Sequence, residues 1–184
     1  MRDRRLWISL ACAAIVFLAA AAMASAANTA TARPVREAVA DRVLAREIVS
    51  AVNDLRARNG LATLKTSPAL TASATSHSTS MGLLGYFSHE SADGSAFWKR
   101  VGRFYPSARF QSWSVGENLL WSSPDVDPSG AIRLWLTSPA HRAILLTPKW
   151  REIGLSAVHV TAAPGVYEGL DVAIVTADFG VRRP

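Results

Sequence analysis

Cysteine is nearly absent: Cys12 is the only one in 184 residues. It lies inside an apolar N-terminal run, so the rest of the chain has no thiol. That excludes disulfides, zinc-thiolate sites and cysteine nucleophiles together. The fold must hold through its core alone, and a chain of this size buries about 70% of its unfolded surface, which is enough. Charge is also sparse, at 18% of residues against 49% hydrophobic, a balance that fits a globular domain and excludes wholesale disorder. The net charge is +6, of which +2 comes from Arg2, Arg4 and Arg5 with Asp3. The remainder is scattered singly, without a basic stripe interleaved with aromatics, so no nucleic-acid partner is expected.

Several catalytic signatures are missing too. No glycine-rich phosphate loop and no Gly-x-Ser-x-Gly elbow occurs. His89-Glu90-Ser91-Ala92-Asp93 begins like the zinc-peptidase helix motif, but Asp93 stands where the second histidine is required. Ser138 precedes His141 by three residues, as a nucleophile precedes a base, yet Pro139 follows it and marks it as a helix N-cap.

What is present begins with an export signal. Arg2, Arg4 and Arg5 precede an apolar run from Leu6 to Met23, followed by Ala24-Ser25-Ala26. This positive, apolar, small-residue order predicts a signal peptide over 1–26 with cleavage after Ala26, and hence a secreted, periplasmic or cell-envelope protein. The rival reading is an uncleaved anchor, since the run nearly spans a bilayer. Membrane contact is then expected only through this segment. Residues 27–42 are expected to be a mostly disordered leader or the start of a first helix.

From Arg36 to Asn59-Gly60, apolar residues Val39, Val43, Leu44, Ile48, Val49, Val52 and Leu55 recur at helical spacing. Ser67-Pro68 opens a second helix that carries Leu70, Ala74, His77 and Met81 to Gly82. A turn at Asp93-Gly94 leads into a short helical stretch with Phe97, Trp98 and Val101, then a loop from Gly102 to Ser112. Asp127-Pro128 and Ser138-Pro139 start two abutting helices. Ile153 to Thr161 and Leu170 to Phe179, joined at Pro164-Gly165, read as a β-hairpin. Helices first and strands last predict an α+β fold with helices packed on a small antiparallel sheet.

The four histidines sit in different settings. His77 on a helix and His159 in an alternating strand read as structural. His89, in a loop after Gly85-Tyr86-Phe87-Ser88, and His141, in a proline-capped first turn, occupy places where function concentrates. Glu117, within Gly116-Glu117-Asn118, is the third candidate. Spacings of 28 and 24 residues do not themselves force the three together. Trp98, Trp113, Trp121, Trp135 and Trp150 are expected mostly in the core, with an apolar groove as the alternative.

The ordered string is specific. It runs Asn53 and Arg56, Gly60-Leu61, Met81 through Gly85-Tyr86-Phe87-Ser88-His89, Asp93-Gly94 and Gly116-Glu117-Asn118. It continues with Trp135-Leu136-Thr137-Ser138-Pro139-Ala140-His141-Arg142, Ile153-Gly154 and Phe179-Gly180. Over about residues 43–181 this resembles the bacterial, SCP-like extracellular branch of the CAP superfamily, named for cysteine-rich secretory proteins, antigen 5 and plant pathogenesis-related proteins. The resemblance implies a CAP-type α-β-α sandwich with a central groove, into which the family places two histidines and two glutamates. His89, Glu117 and His141 match three of these. Where the second glutamate is expected the chain has Thr137 or Ser138, a departure from the full tetrad.

On this resemblance the groove of His89, Glu117 and His141, with Asn118 and Ser138, is expected to bind a lipid, sterol-like or envelope ligand as a monomer. His89 and His141 are the expected ligands of a weakly held divalent metal, zinc foremost, with Glu117 binding it or its water. The alternatives are a metal-assisted hydrolase in which His89, Glu117 and His141 are catalytic, or a non-catalytic envelope interaction module.

Overall fold

A computed structural model of the chain describes residues 36–184. The expected signal peptide, Cys12 and most of the leader lie outside these residues. Among the described residues no helix is long and apolar enough to cross a membrane.

The described residues open with a short strand, β1 (Ala38–Ala40), where the apolar pattern predicted that the first helix was already under way. Asp41 decides the boundary. Its extended backbone ends the strand, and its carboxylate accepts the Val43 and Leu44 N–H groups at 3.0 and 2.9 Å, capping α1 (Arg42–Arg58). Leu44, Ile48, Val52 and Leu55 form the buried face of α1, and the helix stops at Asn59-Gly60 as the sequence predicts. A two-residue strand, β2 (Lys65–Thr66), precedes α2 (Pro68–Leu84), which is capped by Ser67 with proline in its first turn. α3 (Phe97–Phe104) follows the Asp93-Gly94 turn. β3 (Ser112–Ser122) is an eleven-residue strand with no counterpart in the sequence reading. α4 (Pro128–Thr137) and α5 (Pro139–Leu145) meet at Ser138, which ends one helix and caps the other. β4 (Glu152–Val160) and β5 (Val172–Arg183) form the predicted hairpin, with one turn of 3-10 helix, Gly165–Tyr167, in its connection.

The strands form one sheet in the order β1-β4-β5-β3, antiparallel throughout, with β2 added in parallel to β4. One face carries Leu155, Val175, Ala177 and Phe179 into a core shared with α1, α4 and α5. The other face is covered by α2, with Met81 against Val158 and Ile174, and by α3. This is the α+β sandwich expected, with helices on both faces of an antiparallel sheet. The contact of α2 with β4 is unusually close. A Cβ at Gly154 would lie 2.1 Å from the Leu70 carbonyl carbon, so only glycine lets the helix settle there.

Candidate functional site

Each expected site residue is held by local sequence. α2 ends at Gly85, whose φ of 76° is the left-handed cap conformation that glycine adopts without strain. The chain then turns back across the end of the helix. There His77 Nε2 donates to the Ser88 carbonyl at 2.8 Å and fixes the loop that carries His89. His141 sits in the first turn of α5, where the Ser138 hydroxyl accepts its N–H at 3.4 Å. The far end of α5 is pinned to α1 by Arg56, a buried guanidinium that donates to the Leu145 carbonyl at 2.7 Å and the Thr147 carbonyl at 3.1 Å.

Glu117 and Asn118 are neighbours on β3 and so point to opposite faces of the sheet. Glu117 faces α2 and α3. Its Oε1 lies 2.7 Å from His89 Nδ1, and its Oε2 pairs with the Arg100 guanidinium from α3. Arg100 also donates to the His89 carbonyl at 3.1 Å, so one cation organises both the carboxylate and the loop. Asn118 faces α5 and donates through Nδ2 to the His141 carbonyl at 3.0 Å. The two histidines therefore approach the same stretch of β3 from opposite faces of the sheet. A cleft of about 380 Å³ runs between them, lined by His89, Phe97, Val115, Gly116, Glu117, Asn118, Ala140, His141 and Ile144. The structure brings His89, Glu117, Asn118 and His141 together. It leaves Ser138 out of the lining, its hydroxyl being used as a helix cap. No tryptophan lines the cleft either: Trp135 and Trp150 are buried in the core and Trp98 is exposed elsewhere.

Three polar residues on the α2 side escaped the sequence reading of the site. Arg100 lay unremarked in the short helical stretch around Phe97, Trp98 and Val101, His77 read as a structural histidine, and Asp178 lay unremarked in the strand Leu170 to Phe179. Asp178 is the register partner of Glu117 on β5, fully buried, and neither of its oxygens meets a protein donor. Burial, reinforced by the Glu117 charge beside it, pushes the Asp178 carboxyl well above the usual carboxylate range. Burial also lowers the His77 imidazole to about 4, so this ring stays neutral. The hydrogen bond to Glu117 raises His89 above its ordinary value, while burial lowers His141, helped by the charge on His89. The signal for Asp178 was its place as the one carboxylate in the largely apolar run of β5, where a buried charge is rare.

The donors present do not fit the expected zinc. Among the described residues no three His, Asp or Glu side chains converge as a ligand set. Both Glu117 oxygens are already engaged and Arg100 adds a buried positive charge at the carboxylate a cation would need, so only His89 Nε2 and the His141 ring remain, one short of the three protein ligands of a catalytic zinc.

The family model for the cysteine-rich secretory protein family, CAP, matches residues 49–175. The chain belongs to the CAP family. Among solved structures, the CAP domain is similar to an outer surface protein of Borrelia burgdorferi, at 21% identity and a TM-score of 0.60, covering 75% of this chain and 92% of that one. An extracellular SCP-domain protein of Bacillus anthracis shares 27% identity with a TM-score of 0.56, over 76% of this chain and 40% of its own. A cysteine-rich secretory protein of Staphylococcus aureus shares 18% identity with a TM-score of 0.51, over 74% of this chain and 38% of its own. The chain thus spans about two fifths of the length of the last two. No curated protein matches it. The CAP domain here matches bacterial structures described as extracellular or outer-surface proteins, in agreement with the export expected from residues 1–26.

Proposed function

We propose that this protein is an exported CAP-domain binding module whose groove holds a cell-envelope ligand through His89 and Glu117, without a metal. The observation that carries the reading is the 2.7 Å contact of His89 Nδ1 with a Glu117 carboxylate that is itself locked by Arg100. The His89 side chain is 48% exposed while that of Glu117 is 1% exposed, so the imidazole presents to the cleft a charge set from behind. In its protonated form His89 donates to an anionic or carbonyl oxygen. In its neutral form Glu117 keeps the proton on Nδ1 and leaves Nε2 as an acceptor. Phe97, Val115, Ala140 and Ile144 add an apolar wall, which suits a ligand with mixed character better than a sterol body.

Native mass spectrometry of protein purified from its source cell tests this reading. A co-purifying species that is present with the unaltered protein and lost from both His89→Ala and Glu117→Gln supports it. A species retained equally by both variants overturns it.

The same pair favours one second reading. A neutral His89 oriented by a buried carboxylate has the form of a general base, and a hydrolase would use its Nε2 to activate water. Cleavage within a peptide library by the unaltered protein, abolished in Glu117→Gln, would select this reading over binding alone.

A further inference from the structure

The floor of the cleft is main chain, and its hydrogen-bonding pattern can be worked out strand by strand. On β4, the Ile153 and Ala157 carbonyls accept from the Ser67 and Asp41 N–H groups, on the side away from β5. In an antiparallel ladder, alternate residues bond to alternate neighbours. The odd-numbered residues of β4 therefore face away from β5, and Gly154 and Ser156 bond to their partners Asp178 and Thr176. It follows that Ala177 and Phe179 of β5 face the other way and bond to Asn118 and Gly116 of β3. Val115, Glu117 and Leu119 then turn their N–H and C=O groups away from the sheet. Leu119 gives an independent check, because its carbonyl accepts from Trp135 Nε1 at 3.0 Å, outside the ladder.

β3 is the last strand of the sheet, and among the described residues no backbone group pairs with the outward side of Val115 or Glu117. The exposure of Glu117 agrees: the residue is 5% exposed but its side chain only 1%, so what solvent reaches is its main chain. Edge strands are ordinarily protected by brevity, proline, lysine or a bulge. β3 runs for eleven residues with neither proline nor lysine. Its protection is the pair of walls, His89 with Phe97 on one side and His141 with Ile144 on the other. Such walls keep a second sheet away while leaving room for a single extended chain.

We propose that the groove takes an extended polypeptide segment, which adds as a strand to the free edge of β3 and exchanges backbone hydrogen bonds with Val115 and Glu117. This rests on the reading of the groove as a binding site and names the class of its ligand. Open donors and acceptors two residues apart match the repeat of a β-strand, with about 3.3 Å per residue, and neither a lipid chain nor a glycan carries that alternation. The added strand passes between the imidazoles, so one of its peptide groups comes within reach of His89. Its side chains project alternately toward Phe97 and toward Ile144.

The test uses linear peptides selected for binding from a displayed library. The best binder is synthesised with single N-methyl groups at successive residues, since each methyl removes one N–H donor and leaves the side chain in place. The expected result is a loss of about tenfold in affinity at alternate residues and little change between them, together with slowed amide hydrogen exchange at Val115 and Glu117 on binding. Ala140→Trp, which fills the cleft from an exposed wall position, should abolish binding. The proposal is overturned if no peptide binds, if N-methylation shows no alternation, or if a soluble glycan fragment protects those two amides instead. A peptide that binds β3 but ignores Glu117→Gln would keep this inference and remove the His89–Glu117 anchor. A non-peptide ligand lost with Glu117→Gln would do the reverse.

Discussion

The two largest influences on His89 are opposed: the hydrogen bond to Glu117 raises its pKa, and partial burial lowers it. Replacing Glu117 by Gln removes the first and leaves the second. The His89 imidazole, followed by NMR titration, should therefore titrate above 6.5 in the unaltered protein and below it in Glu117→Gln. An unchanged midpoint would show that the pair does not form in solution. His77 gives a prediction of opposite sign. Its folded value is depressed to about 4 from 6.5, so the stabilising term is complete above pH 6.5 and is lost as pH falls through 4. A shift of that size corresponds to about 3 kcal/mol. Urea unfolding of His77→Gln beside the unaltered protein should show the variant less stable at pH 7, with the gap closing toward pH 4. A gap independent of pH would mean that the ring matters only for packing. Asp178 works against stability as pH rises, because its folded carboxyl binds a proton that the unfolded chain has released.

At the scale of elements, the site depends on how closely α2 sits on the sheet. Gly154→Ala would drive a methyl into the backbone of Leu70 and Thr71, lifting α2 and with it His77 and the His89 loop. The expected cost is about 3 kcal/mol, read from chemical denaturation, with His89 losing its raised titration. Gly102 is the contrasting case. It lies inside α3 with nothing within 4 Å of an added Cβ, so Gly102→Ala should stabilise by about 0.5–1 kcal/mol. A pair of substitutions with equal effects would contradict the packing described. The element missed in the sequence, β3, is missing for a physical reason. Gly116-Glu117-Asn118 breaks both the apolar run and the alternation by which strands are recognised, and it is buried from both sides by helices that belong to distant parts of the chain. β1 was hidden differently, since Val39 fits the helical spacing of α1 and only the Asp41 cap separates the two.

For the molecule as a whole, a core on each face of one sheet supplies the stability: among the described residues there is no cysteine to cross-link it and no set of three metal-ligating side chains. The thermal unfolding midpoint should thus be the same with or without a reducing agent, and the same with or without excess chelator. A fall of several degrees with chelator would reinstate a metal that the engaged donors and Arg100 argue against.

What the amino-acid sequence determined by itself is local: the proline-capped starts of α2, α4 and α5, the stop at Asn59-Gly60 and the terminal hairpin. Caps, turns and apolar periodicity act over a few residues, so they are readable without coordinates. Tertiary structure alone decided that Arg100 and Asp178 stand beside Glu117, that the two histidines flank one edge strand, and that the backbone of that strand is open between them. Those relations depend on strand register and on which helix covers which face, set by packing between segments far apart in the chain. No short-range pattern carries that information.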